Sequence, residues 1–198
     1  LSWTQSVYRL AVKLTDHKPS LYPLEELDDL ADVKIGKLSV DGFDGERRSY
    51  ALTVKAGLHL FNESLDMSHA ISQDIDTPTG SYWHGIMHRM EGDYGNAKYW
   101  FRMAGAHPVL DDLTGQAFAY IRESGIDGIR SAALREQLDQ WSSGAVFDPF
   151  RFADLVEYQV TKANDERGDE LLKHIQWIEM RLLLQHGFAH SGGEGALF

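Results

Sequence analysis

Cysteine is missing from this 198-residue chain. Disulfides, thiolate metal ligands and a cysteine nucleophile are therefore excluded together, although the absence does not identify a compartment. Convincing period-two alternation is scarce, so little in the chain specifies strands. No apolar run approaches the ~20 residues needed to span a bilayer, and the N-terminus lacks the basic-then-apolar layout of a signal peptide. The expectation is a cytoplasmic chain without a membrane partner. Positive charge is also in short supply, with 19 Lys and Arg against 30 Asp and Glu and a formal net charge of -11. That balance repels phosphate backbones, so nucleic acid is not an expected partner. G-x-G-x-x-G, G-x-x-x-x-G-K and G-x-S-x-G are all absent, which leaves nucleotide cofactors and the usual serine hydrolase elbow without local support.

What remains has the composition of a globular protein, 43% hydrophobic and 25% charged, and its length suits one well-cored domain. The expected fold is all-α, a single domain over 1–198 of packed antiparallel helical hairpins. N-terminal helices and a loop occupy 1–49, a helical core 50–186 and a Gly-rich tail 187–198. Apolar residues at spacings of three and four predict helices over Thr4 to Leu14, Tyr50 to about Ile75, Ser81 to Met90, Tyr94 to Ala104, Leu110 to Glu123, Ser131 to Trp141, Pro149 to Lys162 and Asp169 to His186. Pro23 can open a short acidic helix over Leu24 to Ala31. Val33 to Tyr50 carries Asp-Gly turn signals and reads as a long loop, with a hairpin as the alternative.

Chemistry concentrates in Ser81 to Pro108, which holds three of the nine histidines and two of the five tryptophans. On one helix His84 and His88 are four residues apart and Glu91 follows three later, so the three project along one stripe. Two neutral imidazoles at this spacing can converge on one divalent ion, zinc or iron, with a third ligand from His69 on the preceding helix, from Glu91 or from His107. The pattern departs from H-E-x-x-H, because Gly85 stands where a catalytic Glu would be needed. The same residues can work without an ion. His88 and Glu91 then form an acid/base pair, His84 or His69 is a second proton carrier and Arg89 is an anion anchor, although a regular helix points Arg89 away from the stripe.

Plainer roles stand beside these. Gly92 and Asp93 have the chemistry of a helix stop and the next N-cap, and Asn96 can close that cap. Trp83, Tyr99, Trp100 and Phe101 fit core or groove wall; His69 fits a hydrogen-bonded core position and His107 a loop. Two function classes follow. One is a small-molecule enzyme with a His-rich pocket, metal-dependent in its sharpest form. The other is an interaction module whose aromatic groove takes a peptide.

A faint internal repeat supports hairpins: setting His59 against His88 pairs LHLFNESLDMSHAI with MHRMEGDYGNAKYW. The stretch Tyr82 to Ala104, containing GDYGNAKYWFRMA, resembles a tetratricopeptide unit, which implies a helix-turn-helix that stacks on neighbours. SHAISQ at Ser68 to Gln73, YWHGIMHRMEGDYGNAKYWFR at Tyr82 to Arg102, His107-Pro108 and FDPFRFADLVE at Phe147 to Glu157 together resemble a family of uncharacterised microbial proteins, from roughly Tyr50 to Gln185. That resemblance implies shared architecture and no particular activity.

Overall fold

The computed structural model describes residues 2–198, and among them there are ten α-helices and no strand. In chain order these are α1 (Trp3–Leu14), α2 (Asp29–Gly36), α3 (Gly45–Phe61), α4 (Leu65–Ser72), α5 (Pro78–Glu91), α6 (Tyr94–Ala104), α7 (Val109–Ser124), α8 (Ala132–Ser142), α9 (Pro149–Tyr158) and α10 (Glu166–His190). A π-helical turn at Gln159–Ala163 follows α9. The all-α expectation is met.

Two apolar clusters form the core. Val7, Val54, Leu58, Phe61, Trp83, Ile86 and Leu184 belong to the first, which joins α1, α2, α3, α5, α6 and the second half of α10. Leu113, Phe118, Leu138, Phe152, Leu172 and Ile175 belong to the second, which joins α7, α8 and α9 to the first half of α10. The 25 residues of α10 extend about 37 Å at 1.5 Å per residue. That is long enough to floor both clusters.

Several sequence-derived boundaries shift. The helix expected over Tyr50 to Ile75 is two helices, α3 and α4, because Glu63 adopts φ 60° and breaks the run. The expected loop at Val33 to Tyr50 shrinks to eight residues, 37–44, between α2 and α3. Leu24 to Ala31 is mostly irregular instead of helical, since α2 starts only where the Asp28 carboxylate accepts from Leu30 and Ala31 N–H groups. Helix α5 opens at Thr77-Pro78, three residues before the expected start at Ser81: Thr77 accepts from Gly80 N–H at 3.1 Å and Pro78 occupies the first turn. The last helix runs to His190, and the tail beyond it is anchored by the buried Leu197.

The α3–α4 and α5–α6 corners have one design. Asp93 N–H donates to His88 O at 2.9 Å and Gly92 N–H to Arg89 O at 3.2 Å; Ser64 N–H donates to His59 O at 2.9 Å and Glu63 N–H to Leu60 O at 2.9 Å. Both are the paired bonds of a Schellman ending with a left-handed residue, Gly92 at φ 86° and Glu63 at φ 60°. The internal repeat read from the sequence is therefore a repeat of helix corners. At the second corner Asp93 Oδ1 accepts from Asn96 N–H at 3.0 Å and Asn96 Nδ2 returns a bond to Asp93 Oδ2 at 3.3 Å, as expected of a cap.

Candidate metal centre

Helix α5 carries the site, and every residue from Thr79 to Met90 is buried. Close approach of its neighbours explains two of its glycines. A Cβ on Gly85 would stand 2.6 Å from Phe101 Cε1 on α6, and one on Gly80 would stand 2.5 Å from Ile75 O. Gly85, the residue that spoils the H-E-x-x-H pattern, is thus where α6 packs against α5.

On one side of α5 the structure gathers His84 and His88 with His69 from α4. One nitrogen from each ring lies within 4.8 Å of the others. His84 and His88 stack with centroids 4.7 Å apart and planes 18° from parallel, and His69 lies tilted by 58° to His84 at 4.9 Å and edge-on to His88 at 5.5 Å. Trp100 of α6 closes the far face of His84, at 4.0 Å and 21°. Nitrogens around a tetrahedral ion with bonds of about 2.05 Å stand about 3.3 Å apart, so binding an ion would require the nearly parallel His84 and His88 rings to turn towards a common point.

The three rings differ in what already holds them. His88 Nδ1 lies 2.6 Å from Glu91 Oε1. A carboxylate oxygen accepts, so Nδ1 is the donor in this contact and Nε2 is the nitrogen left for a metal. Glu91 thereby orients His88 and is not grouped with the other two rings. His69, read from the sequence as a hydrogen-bonded core residue, is only part-buried and opens the cluster towards solvent. His84 is 3% exposed, and neither of its ring nitrogens has a hydrogen-bond partner. It is the only described side chain with two such atoms. Burial first, then the neighbouring His88 and His69, holds its pKa down at about 4, so the ring is neutral at pH 7.

Arg89 and His107 do not join this group. Arg89, expected as an anion anchor, turns to the other side of α5 and is fully buried against Glu179 of α10. Its Nη2 donates to Glu179 Oε2 at 2.5 Å and its Nη1 to Oε1 at 3.3 Å. Nη2 also reaches Gln176 Oε1 at 3.3 Å, and the guanidinium lies 4.6 Å from the Phe152 ring. Tyr82 donates to Glu179 Oε1 at 2.9 Å, and burial raises the phenol pKa well above its ordinary value. Paired with Glu179 through both terminal nitrogens inside the core, the guanidinium is turned away from the histidine cluster, although its Nε has no partner. His107, proposed as a third ligand, has both nitrogens engaged. Val109 N–H donates to Nδ1 at 3.3 Å, so Nε2 carries the proton and donates to Thr79 Oγ1 at 2.9 Å. It is buried beside His186 at a centroid distance of 4.8 Å, not in an open loop.

Sequence reasoning missed Glu179 and Gln176, the partners of Arg89, and Trp100 as the ring stacked on His84. It also missed a second histidine–carboxylate pair: the buried His59 places Nδ1 2.7 Å from Oδ1 of the part-buried Asp32, whose second oxygen accepts from Ser64 Oγ at 2.6 Å, and its Nε2 has no partner. Two clefts open elsewhere. One of about 450 Å³ is lined by acids including Glu25, Asp32 and Glu63, and one of about 430 Å³ lies between α1 and α2. No protein-family model matches the chain, and no curated protein or solved structure is significantly similar to it.

Proposed function

We propose that His69, His84 and His88 hold one divalent ion, zinc or iron, and that the chain is a metal-dependent enzyme acting on a small molecule. The observation that carries this reading is His84. A buried polar atom without a partner costs about 1–3 kcal/mol, and His84 has two such atoms, one of which lies within 4.8 Å of nitrogens on His69 and His88. Co-ordination through one nitrogen would relieve that cost at one of the two atoms. Three protein ligands favour a catalytic over a structural centre, because structural sites close all four positions with side chains. A divalent ion on three neutral imidazoles supplies Lewis acidity, drawing electron density from a carbonyl or phosphoryl oxygen.

The protein's own groups have defined parts. Glu91 fixes the ring plane and tautomer of His88 and raises its basicity. Trp100 and the α6 helix exclude water from the buried face of His84. The part-buried His69 is the side from which a small molecule enters.

Elemental analysis of the purified chain tests the reading, after chelation and reloading with zinc or iron(II), beside a His84→Ala/His88→Ala double variant whose fold is checked by circular dichroism. The expected result is about one ion per native chain and none in the folded variant. Glu91→Gln should weaken affinity about 10- to 100-fold. Metal at equal stoichiometry in native and double variant, or in neither, overturns the metal centre.

A further inference from the structure

Away from the histidine cluster, a cleft opens between α1 and α2. Its volume is about 430 Å³, and it is lined by Arg9, Leu10, Lys13, Ala31, Lys34 and Leu38 among others. Leu10, Ala31 and Leu38 are buried and make an apolar floor. Arg9 and Lys13 stand on α1, Lys34 in the last turn of α2 and Lys37 at its C-cap. No acidic residue lines the cleft. Four of the chain's 19 basic residues therefore share one opening in a protein of net charge -11.

These cations are not consumed by structural pairing. Only Lys13 is paired, to Asp28 Oδ2 at 2.6 Å. Among the described residues Arg9, Lys34 and Lys37 have no carboxylate within 4.0 Å. Like charges crowded around a hydrocarbon floor repel one another and are relieved by an anion whose body covers that floor.

We infer that the α1–α2 cleft binds an amphiphilic anion, an apolar chain ending in a carboxylate or phosphate, with its chain on Leu10, Ala31 and Leu38 and its head among Arg9, Lys34 and Lys37. Charge complementarity selects the head and the floor selects the body. The volume falls in the small-molecule range of about 300–1,000 Å³. The net negative charge of the whole molecule opposes docking on an anionic bilayer, so the ligand is taken as a free molecule. This inference is independent of the metal centre.

Titration calorimetry of the full chain with decanoate and decyl phosphate, both below their micelle-forming concentrations, tests it beside decanol, a Lys34→Glu/Lys37→Glu variant and anionic lipid vesicles. Both substituted lysines are exposed, and circular dichroism checks that the variant keeps its fold. Saturable binding of one anion per chain is expected, at least about tenfold tighter than decanol and weakened at least about tenfold in the variant, the scale of one lost charge-assisted contact. Absence of saturable binding, equal affinity for decanol, or an unchanged affinity in the variant overturns it. Binding to vesicles without binding of the free anions overturns it too and makes the cleft a membrane-surface contact.

Discussion

Replacing Arg89 by Met tests whether this arginine holds the fold or serves the site. Its guanidinium and the Glu179 carboxylate are both 0% exposed and meet through contacts of 2.5 and 3.3 Å. At an effective dielectric constant of about 20, unit charges about 4 Å apart attract by about 4 kcal/mol. Desolvation of both ions offsets much of that, so the pair as a whole contributes little. Removing only the cation is different, because it strands a buried carboxylate with Tyr82 as its remaining donor, which costs about 3–5 kcal/mol. For a chain of this length each kcal/mol lowers Tm by about 2–4 °C, so Arg89→Met should melt roughly 6–20 °C below the parent. Glu179→Leu should lose a comparable amount. The double variant Arg89→Met/Glu179→Leu leaves no stranded charge and should be more stable than either single one, with a coupling energy of at least about 2 kcal/mol by urea denaturation. Additivity within about 0.5 kcal/mol would refute the buried-pair argument. An Arg89→Met protein that keeps its stability but loses bound metal would return Arg89 to the site.

Acid should destabilise the fold through its buried histidines. Burial, reinforced by His186 and His190, holds His107 at about 4, below the unfolded value of about 6.5. The unfolded chain therefore binds the extra proton first, and stability that is complete above pH 6.5 falls as pH drops towards 4. His107→Gln keeps a donor for Thr79 yet should remove on the order of 1–2 kcal/mol of the loss between pH 7 and 5; an identical pH dependence in native and variant chains would exclude His107 as a contributor. Asp93→Ala deletes the acceptor of Asn96 N–H and should cost about 1 kcal/mol, or about 2–4 °C in Tm, and an unaltered melt would show that the carboxylate adds nothing as a cap.

The two helix corners show what made one boundary legible and the other not. Gly92-Asp93 announces itself, since glycine enters the left-handed region without steric cost and aspartate caps the next helix. Glu63 holds the same conformation without glycine's freedom, so an apolar periodicity running from Tyr50 to Ile75 reads as continuous helix. Its strain is compensated from outside the local sequence, because Oε1 accepts from Ser20 N–H at 2.7 Å and lies 2.9 Å from His17 Nε2. Those partners are over 40 positions away. The alignment of His59 with His88 places Glu63 opposite Gly92 and Ser64 opposite Asp93, the one local sign of that corner. Asp44-Gly45 misleads in the opposite direction, as a turn signal that opens α3.

The site follows the same division between local spacing and distant packing. His84, His88 and Glu91 share a stripe because of helix geometry alone, and the 2.6 Å contact between His88 and Glu91 follows from their separation by three residues. The approach of His69 needs α4 laid against α5, and the partner of Arg89 comes from 90 positions away. Burial then sorts these groups by chemistry. Along a helix enclosed from Thr79 to Met90, α10 supplies partners for the Tyr82 hydroxyl and the Arg89 terminal nitrogens and Glu91 supplies one for His88, while Trp83 Nε1 and Arg89 Nε have none. His84 alone on that helix has both polar atoms unpartnered. Since the opposite side of α5 is pinned to Glu179, the helix cannot roll to bring His84 to water without breaking that buried pair. The ring is therefore held on that side of α5, beside His69 and His88.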